Sequence, residues 1–302
     1  MNKTPIAMRA TILKCLTDGM SIRATCRVTG SSMGTVLRLL AEAGEFAEAY
    51  QFHALRNLNT TRVEADEQWS YVGAKQKNAV QDGHGDLWTF CALDADTKLV
   101  FSWLVGGRSV ANTHAFVADM ASRLKNRVQL TTDGWGPYLD GVRKAFDFAR
   151  CDYAVLVKTY GQTGEPGPAR RYSPPVCVGI TKERKIGRPD IDLVSTSYVE
   201  RLNLNTRQNC RRFTRLTNAF SKKAENHAHA VALSFFVHNY VRPHGTLTKA
   251  FVRFQAASGN PSRTKITPAM AAGLTDHVWT LEEMLTRMDP KLCRVGETVT
   301  IK

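Results

Sequence analysis

Three widely separated carboxylates carry the strongest chemical signal in this sequence: Asp66 in VEADEQWSYVG, Asp133 in QLTTDGW and Glu200 in SYVERLNLNTR. Hard divalent cations such as Mg²⁺ and Mn²⁺ bind carboxylate oxygens and keep part of their water shell. Acids that converge from different elements onto two such ions can clamp the attacking and leaving oxygens of an in-line phosphoryl displacement. Any chain of 302 residues offers many triples of acids, so the element on which each acid falls matters more than the spacing. Glu200 also heads a run, Arg201 to Lys223, that holds seven Arg or Lys and no acid. Metal-binding carboxylates beside a track of cations point to phosphodiester chemistry on a nucleic acid.

The elements can be read from periodicity. Across Val63–Val72 the period is two: Val63, Ala65, Glu67, Trp69 and Tyr71 share one face, and Glu64, Asp66, Gln68 and Ser70 the other. This parity makes Asp66 the better ligand of the adjacent acids. Residues 87–93 and 98–105 read as strands of a hairpin whose turn holds Asp94 and Asp96. A helix over 112–124 precedes a strand over 127–132 that delivers Asp133 at its C-terminal end, where open sheets place their chemistry. A helix over 137–148 and a strand over 153–158 follow. The expectation is an α/β, ribonuclease H-like core with a mixed five-stranded sheet.

Ten of the thirty residues from 161 to 190 are Gly or Pro, and TKERKIGR within it is basic. That segment reads as an excursion, either an arm touching phosphates through Lys182, Arg184 and Lys185 or a solvated loop. A long helix is expected over 197–227. On it Glu200, Asn203, Arg207, Arg211, Thr214, Asn218 and Lys222 recur at steps of three or four, with Arg201 and Arg215 in the same cationic track. The alternatives are a DNA-facing stripe and a solvated basic face. A second helix over 228–240 stops at Arg242-Pro243, where His238, Asn239, Arg242 and His244 either approach DNA or cap the helix. His227 and His229 are two apart, so on a helix they point away from each other and make a poor metal pair. Short helices follow over 267–272 and 281–288.

Ahead of the sheet, residues 5–43 read as three helices, the second capped by Ser21 and the third ending at Gly44. Ile22, Cys26, Val28, Val36, Leu37 and Leu40 would close their core. A short helix, a Gly turn and a helix opening Ser-Ser-Met-Gly-Thr fit a helix-turn-helix DNA reader, with Ser31, Ser32, Thr35 and Arg38 facing the groove. A plain helical bundle fits the same pattern. The expected organisation is a helix-turn-helix domain over 1–45, a connector over 46–61, the catalytic domain over 62–245 and a tail over 246–302.

Composition bounds the partners. A net charge of +14 and a pI near 9.6 favour a polyanion. Seven scattered cysteines without a C-x-x-C pair give neither a disulfide framework nor a zinc site. No apolar run is long enough for a membrane span, and the first residues lack a leader pattern, so a cytoplasmic, nucleoid-associated protein without a membrane partner is expected.

Through DEQWSYVG, TTDGWGPY and YVERLNLNTR, with HNYVRPHGTL and ITPAMAAGL behind them, the sequence resembles the DDE transposases of bacterial insertion sequences, most of all the insertion sequence 1 type. The resemblance spans about residues 20–285. It implies a ribonuclease H-like catalytic core behind a helix-turn-helix. It also implies two-metal cleavage at element ends, with Mg²⁺ replaceable by Mn²⁺, and 3′-hydroxyl strand transfer into target DNA. Asp66, Asp133 and Glu200 fall on the family's three acids, and Arg207 on the basic position two turns after the glutamate. The implied partners are the terminal inverted repeats and target duplex, bound by a homodimer or higher assembly. Two other functions remain open from sequence: a nuclease of the same fold without strand transfer, and a domesticated DNA-binding regulator.

Overall fold

The computed structural model describes residues 4–146, 150–161, 176–215, 217–258 and 264–288. Its centre is a strand, β1 (Arg62–Val72), whose β-branched and aromatic residues suit a pleated surface packed on both sides. Next come β2 (Gly85–Asp94) and β3 (Val100–Gly106), antiparallel to β1 and to each other in turn. Asp94 makes the turn between them, its Oδ1 accepting the backbone N–H of Asp96 and Thr97. After β3, α4 (Val110–Arg123) leads to β4 (Val128–Thr132), then α5 (Pro137–Ala145) to β5 (Cys151–Tyr160). β4 runs parallel to β1 and β5 parallel to β4, the mixed core expected of a ribonuclease H-like fold.

The sheet has six strands, not five: β6 (Cys177–Ile186) pairs antiparallel with β5, giving the order β3-β2-β1-β4-β5-β6. The expected excursion over 161–190 is thus partly a strand. Its basic residues lie on an exposed edge ribbon, where charge is no obstacle to pairing. The Gly/Pro-rich part over 162–175 lies outside the described residues.

Helices cover both faces. α4 and α5 pack on one, with Phe116 against Phe90 and Tyr138. On the other lies α6 (Ser197–Asn209), then α7 (Ala224–Phe236), which continues through a π turn to Val241. The single helix expected over 197–227 is therefore wrong: α6 ends at Asn209. Cys210 takes an extended conformation, a short 3-10 turn follows over Arg211–Phe213, and Ser221 bridges to Val72 of β1. α8 (Gly245–Ala257), which was not among the expected helices, precedes the short α9 (Pro268–Ala271) and α10 (Leu281–Arg287).

The N-terminal helices are α1 (Ile6–Thr17), α2 (Ile22–Thr29) and α3 (Met33–Ala54). Gly30 closes α2 in the left-handed region, as the turn requires. α3, however, does not end at Gly44 but runs ten residues further, to Ala54. A Cβ on Gly44 would lie 2.4 Å from the His229 Cβ, so this glycine serves the close approach of α3 to α7 rather than a helix end. Val28, expected in the core, is 65% exposed, because α2 presents it away from α1 and α3. Tyr50 of α3 meets Phe236, Tyr240 and Trp279 in one ring cluster that ties this helix to α7 and the tail.

Candidate active site

The β1–β4 register builds the centre of the site. Arg62 pairs with Gln129, Val63 with Leu130 and Glu64 with Thr131, a constant offset of 67 residues. Asp66 and Asp133 are separated by the same 67 residues, so Asp133, one step beyond β4, stands beside Asp66 on the neighbouring strand. Asp66 and Asp133 line a pocket with Glu200 and Arg207, and Lys158 and Tyr160 of β5 form its far wall. Asp133 is fixed by an Asx turn, its Oδ1 accepting the Trp135 N–H at 3.0 Å.

Asp66 is half-buried and accepts a 2.8 Å hydrogen bond on Oδ2 from the Asn203 side chain of α6. Burial, and then the negative charge of Asp133, push its pKa up to about 6, while Arg207 pulls in the opposite direction. Such crowding of acids is what a bound cation relieves.

Glu67, which parity ranked below Asp66 as a ligand, lies beside this centre although it does not line the pocket. Its carboxylate oxygens, with those of Asp66 and Asp133, form a group whose ligand atoms lie within 4.8 Å of one another. It leaves the opposite face of β1, but Asp133 sits at the open end of the sheet and is reached from both faces. Burial, then the Asp133 charge, raise the Glu67 pKa to about 7. Arg108 donates to its Oε1 at 2.9 Å and Tyr138 to its Oε2 at 3.3 Å. The Arg108 guanidinium is sandwiched between Trp88 at 4.9 Å and Trp135 at 4.1 Å, and lies 3.8 Å from Asp133.

Glu200 occupies the other wall, in the first turn of α6, where Thr196 donates to its Oε1 at 2.6 Å and Lys158 pairs with it. Burial works against the Lys158 charge, yet the hydrogen bond it donates to Glu200 raises its pKa on balance. The helix start is set by a residue that sequence reasoning did not single out. Thr196 gives no side-chain cap; instead Glu64 of β1 accepts the N–H groups of Tyr198 at 2.8 Å and Val199 at 2.9 Å. A carboxylate at the positive end of the helix satisfies two orphan donors. Glu64 shares its face of β1 with Asp66, so one strand face presents a metal-type acid and docks the helix carrying another.

Of the cations expected on DNA, Arg207 is half-buried at the pocket edge, and Arg201 is exposed on a different side of α6. Arg211, Arg215 and Lys222 lie beyond the end of α6, so they do not share a helix face with Glu200. On β6, Lys182 donates to the Ile191 carbonyl, Arg184 to that of Pro189, and Lys185 pairs with Glu183. In the N-terminal helices Ser32 caps α3, accepting from the Thr35 N–H and contacting the Thr35 hydroxyl, while Ser31 and Arg38 flank it.

Residues 60–163 match the IS1 transposase family, a stretch that contains Asp66, Glu67 and Asp133 together. The chain carries an IS1-family DDE transposase domain. DDE transposases of this family are phosphoryl-transfer enzymes that use divalent metal and bind DNA. The matched stretch ends before α6, so Glu200 lies outside it. Among solved structures, a chain of the "Crystal structure of the Mos1 Strand Transfer Complex" is similar at 11% identity and a TM-score of 0.23, over 78% of this chain and 79% of that one. That likeness is too slight to bear on function. No curated protein matches the sequence. Among the described residues, no helix is long and apolar enough to cross a membrane.

Proposed function

We propose that this IS1-family chain is the DNA transposase of an insertion sequence, cutting at element ends and joining the freed 3′-hydroxyl to target DNA. The observation that carries the reading is the juxtaposition of Asp66 and Asp133 by strand register, with Glu200 on the facing wall of the same pocket. Clustered carboxylate oxygens are the donor set that Mg²⁺ and Mn²⁺ prefer. Asp66 and Asp133, whose oxygens cluster with those of Glu67, would hold the two ions with Glu200 from the facing wall. The ions when bound would supply the positive charge that eases deprotonation of the attacking hydroxyl and stabilises the leaving oxygen.

The remaining residues have roles of their own. Asn203 orients the Asp66 carboxylate, and Gln68 in turn donates to the Asn203 carbonyl at 3.1 Å. Arg207, whose pKa is lowered by burial and then by repulsion from Arg215, is a desolvated cation aimed along the pocket, suited to a phosphate oxygen. Arg201, Arg211, Arg215 and Lys222, with Lys182, Arg184 and Lys185 on the β5–β6 ribbon, supply the cationic surface for backbone phosphates. Residues 1–45 act as the helix-turn-helix reader of the terminal repeats through the exposed start of α3, including Arg38, with Ser32 and Thr35 also serving the cap. Bringing two ends together calls for a homodimer or larger assembly on DNA.

The test is Asp133→Asn in a Mn²⁺ or Mg²⁺ assay on element-end duplex, scoring nicked and joined products. The variant is expected to lose cleavage by roughly a thousandfold or more, because metal-mediated charge stabilisation is worth several kcal/mol, while duplex affinity in EDTA stays close to wild type. Undiminished cleavage would overturn the metal assignment. Nicks without any joined product from the wild-type protein would reduce the reading to a nuclease.

A further inference from the structure

α6 has a second cavity along its other side. Glu200, Asn203, Leu204 and Arg207 line the acidic pocket, whereas Tyr198, Arg201, Leu202 and Asn205 line a concavity of about 380 Å³ between α6, the β2–β3 turn and the start of α8. The lining of this second cavity includes Lys98, Arg201, Arg242 and two histidines, and no carboxylate. Lys98 is only 7% exposed; its Nζ donates to the Ala95 carbonyl and lies 3.2 Å from the centre of the Tyr198 ring. His238 donates from Nε2 to the Lys98 carbonyl at 2.9 Å, fixing the turn that carries the lysine.

Two features of the lining carry polar capacity that the described residues do not use. The His244 Nδ1 is buried without a hydrogen-bond partner among the described residues. α8 begins immediately after it with neither a side-chain cap nor an acid in its first turn, so among the described residues the N–H groups at Gly245 and Thr246 have no partner at the cavity wall. Arg201 is exposed and has no ion pair among the described residues, while Arg242 is already engaged with Asp18 and the Thr17 carbonyl. Burial, then repulsion from Lys98 and Arg201, lower the pKa of His244, as expected where cations crowd without an anion. Of the acids around the group, Asp18 is taken up by Arg242, while Asp94, Asp96 and Glu64 act on Lys98, with Asp96 paired to Arg62 and Glu64 capping α6.

We propose that this cavity is a second phosphate site, taking a backbone phosphate of the DNA whose scissile bond lies across α6. The inference rests on the transposase reading and deepens it. Arg201 supplies a planar donor fork, Lys98 a fixed charge, and the open α8 terminus backbone donors of the kind that cradle phosphate. A helix with its side chains is about 10 Å across, and phosphates a few steps apart on one strand span at least that, since each step rises about 3.4 Å along the axis while the strand also winds around it. One strand can therefore straddle α6, with one phosphate at the acids and another in the cavity, which fixes the register of the duplex on the catalytic pocket.

The experiment measures binding of a 30-base-pair duplex of arbitrary sequence by fluorescence anisotropy in EDTA, from about 50 to 200 mM KCl. Thr246→Glu puts a carboxylate in the cavity while favouring the α8 terminus, so folding is retained. It is expected to weaken binding about tenfold at 100 mM salt and to lower the slope of log K against log salt by about 0.9, the value for one lost phosphate contact. Arg201→Gln should lower the slope by a similar amount. Ala257→Glu, at the far end of α8, carries the same charge change and should leave the slope unaltered. Thr246→Glu and Arg201→Gln both matching the Ala257→Glu protein would overturn the second site and leave the transposase reading standing. A wild-type protein without salt-dependent duplex binding would overturn both.

Discussion

At the residue scale, the centre of the molecule is a chain of partners that compensate one another's cost. Glu67 is buried beside two other acids, and its charge is sustained by Arg108, which is itself held between two tryptophans and within 3.8 Å of Asp133. Removing one member of a buried ion pair leaves an uncompensated charge, at a cost of about 3 kcal/mol or more. Arg108→Ala should therefore lower unfolding free energy by about that amount in EDTA, and Arg108→Ala/Glu67→Gln should recover at least half of it. Urea denaturation of the four proteins of the cycle measures this; equal losses in the single and double variants would show that the arginine acts only through its aromatic stack. The same residues show what sequence parity left out about Glu67. Alternation assigns it correctly to the aromatic face of β1, but alternation describes the middle of a sheet. At a strand end, beside a neighbour that has already left the ladder, both faces reach one point.

At the element scale, the features legible in the sequence were those with local cause. The period-two pattern of β1, the Asp94 turn and the strand that ends at Asp133 all follow from neighbours in the chain. What was hidden depends on distant partners. Glu64 caps α6 from 134 residues away, and no local pattern marks it. β6 looked like a loop because an edge ribbon tolerates the charges and glycines that a central strand excludes. The uninterrupted basic run after Glu200 suggested one long helix, but Phe213 and Ser221 turn back to the core and to β1, and that packing outweighs helix propensity. Gly44 is the clearest case. As a local signal it resembles a helix end; in the fold it is the gap that admits His229, whose carbonyl oxygen would stand 2.7 Å from an added Cβ. Gly44→Ala should destabilise the protein by about 1–3 kcal/mol through overpacking, although alanine favours a helix interior. Gly34→Ala, in the same helix with only the Ser32 hydroxyl at 3.9 Å, should stabilise by about 0.5 kcal/mol. Chemical denaturation of the two variants separates the explanations, since a plain helix-propensity effect would make both changes stabilising.

At the scale of the whole molecule, the N-terminal helices and the catalytic sheet share one hydrophobic cluster. It runs from Ile12 and Leu13 of α1, through Leu39, Leu40 and Ala47 of α3, to Phe90 and Leu93 of β2, and on to Met284 and Leu285 of α10. Asn239, at the end of α7, links the same parts by hydrogen bonds: it donates to the Gln51 side chain of α3 and to the Val100 carbonyl of β3, and accepts the Val100 N–H. An N-terminal helical unit built this way is not a bead on a flexible linker, because α3 delivers its exposed first turn to solvent and its second half to the core. The physical consequence is mechanical: under the proposed function, a duplex bound at the start of α3 would be held at a fixed distance from Asp66 and Asp133. It also predicts cooperative unfolding. In urea, far-UV circular dichroism and tryptophan fluorescence should give coincident transitions. In native-state hydrogen exchange the amides of Leu40 and Phe90 should open with the same free energy, that of global unfolding. If Leu40 instead opened at markedly lower cost than Phe90, the helices over residues 1–45 would be an independent domain, and end recognition would be tethered to catalysis rather than rigidly aligned with it.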